Sequence, residues 1–254
     1  MRGVSIIVPA YNSSKTLVIL VQRISETMNE IGYPYELILV NDGSPDQTWQ
    51  VIYELASANA KIFGVNLSRN FGQHNALLCG VHFAKFQTCV TLDDDLQHPP
   101  KEIPKLLAKL EEGFDVVYGV PIIARHGLSR NFSSRFVRWI GTSVFRIRTA
   151  HILSAFRAFR TDLFDDFNFS RGEQISIDAI LHSNSGDVGH VTVSHERRYS
   201  GKSNYSLSKL FKLSMTTLIG FKFQKFLYEP GKISYQVQDT IGTLKGGAKM
   251  GGKL

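Results

Sequence analysis

The stretch CVTLDDDLQHPP, residues 89–100, passes from apolar β-formers into three consecutive aspartates and ends in a proline pair. Its first half, with Thr88, reads as a buried strand, TCVTL, and Pro99-Pro100 introduces a helix over 102–110. Adjacent carboxylates repel one another, and ionised ones are costly to bury without partners. The aspartates therefore belong at the surface end of the strand, beside something cationic. In an extended segment side chains alternate, so Asp93 and Asp95 are expected to face one way and Asp94 the other, with Gln97 back on the first side. That makes an oxygen-rich cup of the kind hard divalent cations favour, Mg²⁺ or Mn²⁺ with substrate phosphates completing the shell. The plainer alternative is an acidic turn that caps the next helix.

The flanking sequence decides the fold. VSIIVP near the start and YELILV at 35–40 are continuous apolar runs, as expected for strands covered on both faces. KIFGVNL and DVVYG repeat the pattern around TCVTL, and between the strands Leu17, Leu20, Val21, Ile24 and Met28 recur at helical spacing. Ser13 or Ser14 is placed to cap that helix. Further helices are expected through Val51, Ile52 and Leu55 and over 73–84. Strands alternating with helices predict an α/β fold with a mostly parallel sheet and flanking helices. After residue 120 the rhythm changes. An arginine-rich amphipathic helix is expected over 132–145, SAFRAFR as an extended edge segment, a helix over 174–182, VGHVTV as a strand and an amphipathic helix over 207–221. The domain boundaries follow: 1–205 for the α/β domain, 206–228 for an amphipathic, membrane-interface helix, and 229–254 for a flexible, glycine-rich tail.

In an open parallel sheet, ligands bind beyond the carboxyl ends of the strands. PAYN after the first strand, NDGS after the second and DDDLQ after the fourth all fall at such ends, which makes a shared site far more economical than three accidents.

Composition narrows the function classes. With 43% hydrophobic residues in 254, the chain can bury a substantial core, which excludes global disorder. The apolar runs 116–124 and 213–221 have nine residues each, against roughly 20 for a spanning helix. Cys79 and Cys89 match no metal or redox spacing and read as buried thiols. GAKMGGKL at 247–254 mimics a P-loop but has Leu254 where a magnesium-binding hydroxyl is needed, and no GxGxxG follows the first strand. The net charge of +7 is unevenly spread: residues 121–160 carry eight arginines and no acid, and 197–254 carry eleven Lys and Arg against two acids. Such blocks suit anionic ligands: phosphates, nucleic acid or a lipid surface. Nucleic-acid binding would account for the arginines but not for the aspartate cluster.

VSIIVPAYN, LVNDGSPDQT, TLDDDLQHPP, VVYG and RYSGKSNYS stand in the order found in family 2 glycosyltransferases of GT-A (Rossmann-like) fold, and over residues 3–220 the chain resembles the dolichyl-phosphate mannose synthase and bacterial polyprenyl-phosphate sugar transferase branch. The resemblance implies an inverting, metal-assisted hexosyl-type transfer from a nucleotide sugar to a polyprenyl phosphate, in cell-surface glycan synthesis. It implies that Pro9, Tyr11 and Asp42 hold the nucleoside, that Asp93 and Asp94 line the nucleotide side, and that Asp95 and Gln97 ligate Mg²⁺ or Mn²⁺. Asp93 and Asp95 are then the catalytic pair. An acceptor phosphate is already an anionic nucleophile and needs cations to position it; Arg130, Arg135, Arg198, Lys202 and Ser203 are the expected grip. Lys209, Lys212, Lys222 and Lys225 flank the apolar face of the 207–221 helix, a pattern suited to anionic headgroups. The expected location is cytoplasmic, peripheral on the inner face of the cell membrane.

The sequence also departs from the family pattern. Ser13 replaces an acid commonly found there, Pro121 stands where relatives carry an Arg whose role passes to Arg125 or Arg130, and Asn204 replaces a Lys near Lys202. Relatives often continue into two membrane spans where this chain has its polar tail, which implies a membrane-protein partner supplying them. Two other readings stay open: a same-fold transferase acting on a soluble or lipid-linked saccharide, and a non-catalytic nucleotide-sugar-binding subunit.

Overall fold

The computed structural model describes residues 3–122, 152–165, 167, 176–196 and 235–242. The expected helices over 132–145 and 207–221, most of the basic residues around them and the 206–228 unit lie outside the described residues.

The first 120 residues form the expected alternation: β1 (Val4–Ala10), α1 (Leu17–Glu30), β2 (Tyr35–Asn41), α2 (Thr48–Ala58), β3 (Ile62–Leu67), α3 (Gln73–Phe83), β4 (Thr88–Thr91), α4 (Ile103–Glu111, after a 3₁₀ turn at Pro100–Glu102) and β5 (Val116–Pro121). Then follow β6 (Arg157–Arg160), α5 (Ile177–Asn184), β7 (Val188–Val193) and β8 (Val237–Ile241). All eight strands share one sheet in the order β7-β5-β6-β4-β1-β2-β3-β8, in which β6 and β8 run antiparallel to their neighbours.

The apolar runs behave as strands covered on both faces. In β1, Val4, Ile6 and Val8 face a core shared with Leu17, Leu20 and Ile24 of α1, Ile52 of α2 and Leu106 of α4. Ile7, between them, faces the other core, with Leu78 of α3 and Ile180 of α5. The sheet is thus sandwiched between α1, α2 and α4 on one side and α3 and α5 on the other. This places the loops after β1, β2, β3 and β4 along one exposed edge.

Three expectations are corrected here. The segment SAFRAFR was expected at a sheet edge, but β6 sits inside the sheet, pairing Thr91 with Arg157 on one side and Val117 with Ala158 on the other. Its arginine misleads because Arg157 is neutralised internally rather than by solvent. The stretch 229–254 was expected to be a flexible tail, yet Val237–Ile241 is a strand whose backbone pairs with the otherwise open edge of β3, carrying the sheet past the expected boundary at residue 205. Gly64 in β3 makes this fit, since a Cβ there would lie 2.6 Å from Ile52 Cγ2 and 2.8 Å from Ile241 Cγ2. Finally, neither Ser13 nor Ser14 caps α1 with its side chain: the N-cap position is Thr16, without a side-chain cap bond, because both serine hydroxyls bond across to other loops.

Candidate active site

The loops beyond β1, β2, β3 and β4 are bonded into one unit. After β1, the Tyr11 amide donates to Asp94 Oδ2 at 3.1 Å, a contact 83 residues long in sequence, and the Ser13 hydroxyl donates to the same oxygen. The Asn12 amide donates to Ser44 Oγ at 3.1 Å and the Ser13 amide to Thr48 Oγ1 at 2.8 Å, tying this loop to the one after β2. Asn12 takes a left-handed backbone, φ 57°, which asparagine tolerates better than most residues. Ser14 Oγ donates to Asp46 Oδ2 at 2.8 Å.

Asp42 closes the next link. It is 3% exposed, and its two oxygens accept the amides of Phe71 (2.7 Å) and Gly72 (2.9 Å), fixing the loop after β3. Burial raises its pKa, and those two amides pull it partly back. The adjacent Gly43 is required: its φ is +61°, and a Cβ would lie 2.3 Å from the Arg69 carbonyl carbon. Asp42 thus holds the loop after β3 with both oxygens. Tyr11, by contrast, is 39% exposed and offers an aromatic surface beside these loops. Pro9 lies in β1 opposite Val40, two residues past Ile7, where β4 stops pairing with β1. A proline cannot donate a further ladder bond, and the loops part there.

The three aspartates do not alternate as an extended strand. β4 ends at Thr91, and Asp94 and Asp95 lie in a turn that ends on Leu96 at φ 64°. A leucine in this region costs of order 1–3 kcal/mol and persists only where packing enforces it; Leu96 is buried in the α1-side core. The carboxylates diverge as a result. Asp93 Oδ1 accepts Gln73 Nε2 at 2.6 Å, Asp94 bonds the β1 loop, and Asp95 Oδ1 accepts the Gln97 amide at 3.1 Å. Asp95 and Gln97 are therefore brought together by a local turn, and Asp93 and Asp95 do not share a face through strand alternation. Burial raises the pKa of Asp94, opposed by the Ser13 hydroxyl and Tyr11 amide and reinforced by the Asp95 charge.

Among the described residues no group of three or more His, Cys, Asp and Glu is placed to hold a metal ion. The Asp95 carboxylate and the Gln97 amide are two residues apart in the turn and supply hard oxygen donors. Such an incomplete set fits Mg²⁺ or Mn²⁺ when phosphate oxygens and water complete the shell. Next to this turn His98 is pushed down to about 4 by burial and the neighbouring His195, so it stands neutral at physiological pH.

The acceptor candidates Arg130, Arg135, Arg198, Lys202 and Ser203 lie outside the described residues. Two arginines of the same block are described: Arg160, exposed and paired with Asp162 at 3.4 Å, and Arg157. Arg157 is buried and donates through Nη1 to Asp178 and through Nε to Thr91 Oγ1 at 3.1 Å, so it is not a surface cation awaiting a phosphate. Sequence reasoning missed the loop after β3. SRNFGQ is a polar cluster at a strand's carboxyl end, the same signal that singled out PAYN, NDGS and DDDLQ, and it supplies Gln73.

An eight-stranded α/β sheet of GT-A type with this bonded loop edge defines the class. The chain belongs to glycosyl transferase family 2, whose sequence profile matches residues 5–168. It is 33% identical over 214 residues to undecaprenyl-phosphate 4-deoxy-4-formamido-L-arabinose transferase of Yersinia enterocolitica, covering 84% of this chain and 65% of that protein. The Pseudomonas fluorescens protein of the same name is 33% identical over 211 residues, covering 83% and 62%. The chain thus spans less than two thirds of the length of these curated relatives. Among solved structures it resembles glucosyl-3-phosphoglycerate synthase from Mycobacterium tuberculosis in complex with Mn²⁺, UDP and phosphoglyceric acid, with TM-score 0.65 at 20% identity over 96% of this chain and 88% of that one. S. aureus TarS 1–349 aligns with TM-score 0.52 at 20% identity over 76% and 59%. Both likenesses show the fold.

Proposed function

We propose that this chain is an inverting glycosyltransferase that moves a sugar from a nucleotide sugar to a polyprenyl-phosphate lipid with the help of a divalent metal. The observation that carries the reading is the bonded edge itself. Four loops from separate parts of the sequence are joined so that Tyr11, Asp93 and the Asp95–Gln97 turn stand together at the carboxyl ends of parallel strands, where such folds bind ligands. The names of the sequence relatives support an undecaprenyl-phosphate acceptor, and the Mn²⁺ and UDP in the synthase complex support a metal-bound nucleotide.

In this mechanism Tyr11 packs against the base, and Asp42 shapes the nucleoside pocket through the amides of Phe71 and Gly72. Asp93 and Asp94 line the nucleotide, while Asp95 and Gln97 hold Mg²⁺ or Mn²⁺. Such a metal, when bound, would offset the negative charge that grows on the departing diphosphate. The acceptor phosphate attacks from the opposite face in one displacement, with inversion, and Arg130, Arg135, Arg198, Lys202 and Ser203 orient it. The protein works peripherally at the cytoplasmic face of the membrane, with the basic 207–221 segment meeting anionic headgroups. Among the described residues no helix is long and apolar enough to cross a membrane.

The test is transfer from UDP-, GDP- and dTDP-sugars with Mn²⁺ to a short-chain polyprenyl phosphate, with and without anionic vesicles. A lipid-linked product, lost in Arg130→Ala or Arg135→Ala and salt-sensitive on vesicles, is the expected result. A chain that ignores lipid phosphate and glycosylates a soluble saccharide has the other acceptor; one that binds nucleotide sugar yet never cleaves it is the non-catalytic subunit.

A further inference from the structure

Beneath the site, where β4, β6 and β5 meet α3 and α5, lies a second cluster of charged groups that the mechanism above does not use. The Arg157 side chain, 3% exposed, ion-pairs with Asp178 and donates to Thr91 Oγ1. Asp178 also accepts the Tyr118 hydroxyl at 2.9 Å, and Thr91 Oγ1 donates onward to the Ala155 carbonyl at 2.8 Å. His182 stacks on the Tyr118 ring, 6.0 Å between centroids. His74, partly buried, lies in the field of both Asp178 and Arg157, and its buried Nδ1 has no hydrogen-bond partner among the described residues.

Stability alone does not explain this arrangement. Removing two charges from water is expensive, and well-packed apolar residues of similar volume often serve a core as well or better. The cluster does, however, reach the donor edge by two routes. Thr91, held by Arg157, is the last residue of β4 and stands two residues before Asp93, whose charge acts directly on Arg157. Gln73, which bonds Asp93 at 2.6 Å, immediately precedes His74. Both routes end on the same carboxylate.

We propose that Arg157, locked to Asp178, Tyr118 and Thr91, is a positioning residue that holds the Asp93 end of the aspartate turn in the geometry that receives the nucleotide. Its guanidinium is the countercharge of Asp178 and holds Thr91, from which the chain runs directly to Asp93, and Asp178 fixes it rather than accepting a proton from substrate. Burial works against the Arg157 charge, but Asp178, Tyr118 and Asp93 together outweigh it, so the cation persists at all working pH values.

This inference rests on the donor-site reading above, and its test separates the two. The triple variant Tyr118→Phe/Arg157→Met/Asp178→Leu replaces the network with apolar groups and leaves no buried charge stranded. Its melting temperature is expected to equal or exceed that of wild type. Two readouts follow in the full-length chain. Calorimetric affinity for UDP or GDP with Mn²⁺ should fall about 10–100-fold, as when outer groups that orient ligating residues are lost. Arg157→Lys, which keeps the charge, should recover most of that loss. Independently of any nucleotide, amide exchange in the 92–98 turn should accelerate by about tenfold, as for a loop released from its support. A stable triple variant with wild-type exchange in this turn overturns the proposal, even if wild type binds neither nucleotide. If wild type binds nucleotide, so does a triple variant with undiminished affinity. Accelerated exchange in a chain whose wild type binds no nucleotide sustains the positioning role and refutes the donor-site reading instead.

Discussion

The loop edge beyond β1–β4 and the seam between β4, β6 and β5 both concentrate acidic groups, but they stabilise them by opposite means. At the edge, Asp42, Asp94 and Asp95 accept neutral amides and a hydroxyl, and among the described residues no cation is paired with Asp42 or Asp94. In the seam, Asp178 has a buried guanidinium against it. Burial raises the pKa values of Asp42 and Asp94, whereas at Asp178 the Arg157 and His74 charges outweigh burial and lower it. Neutral donors leave a site electronegative and ready for a cation; a buried ion pair is closed. The edge is built to receive charge and the seam to keep it.

This contrast can be broken most severely in the seam. Asp178→Ala strands Arg157 as an uncompensated buried cation and should cost about 3–5 kcal/mol in denaturant unfolding. At the edge, Asp95→Asn should leave the melting temperature nearly unchanged and reduce transfer by about 10²–10³-fold, the scale for losing one group that stabilises developing charge; activity undiminished by EDTA would refute the metal assignment. Asp42→Ala strands the amides of Phe71 and Gly72, costing about 1–3 kcal/mol for each that water does not reach, and should weaken nucleotide binding more than Mn²⁺ binding.

Ser13→Ala sharpens the comparison through pH. The hydroxyl favours ionised Asp94 and so lowers its folded pKa relative to the variant. Its contribution, about 1.5–3 kcal/mol for a hydrogen bond to a charged group, is present above the Asp94 titration and lost as pH falls through it. The stability gap between wild type and variant should therefore narrow on acidification, and a gap independent of pH would contradict the assignment. The smallest effect belongs to Arg23→Ala. The Arg23–Glu196 pair, 3.1 Å long with both side chains about 40% exposed, should contribute no more than about 1 kcal/mol and fade with salt.

The sequence makes the first 120 residues legible because the strands are largely continuous apolar runs and α1, α2 and α4 each have one apolar face, so local pattern and tertiary burial agree. The loop edge was legible as a place but not as a geometry. DDDLQ looks like a continuing strand, but β4 stops pairing with β1 at Thr91 and Leu96 turns left-handed, and nothing local announces that break. Arg157 was read with its arginine-rich neighbours as a surface cation, since its partner Asp178 is 21 residues away and no periodicity links them. Ser13, a departure from the family pattern, proves to be the hydroxyl that bonds Asp94.

The pairing of β8 with β3 has a kinetic consequence. Val65 aligns with Thr240, so this rung closes a loop of 175 residues, far longer than the β1–β2 and β2–β3 crossovers that build the sheet's middle. Contacts of such separation form late, because the loop entropy must be met before the pairing returns anything. Until β8 arrives, β3 presents bare N–H and C=O groups along an apolar strand, a ready template for a second unfolded chain. The last strand to dock is thus the guard against misassembly while the rest is being made, and cutting the chain before residue 235 should show itself first as aggregation during refolding rather than as a lower melting temperature.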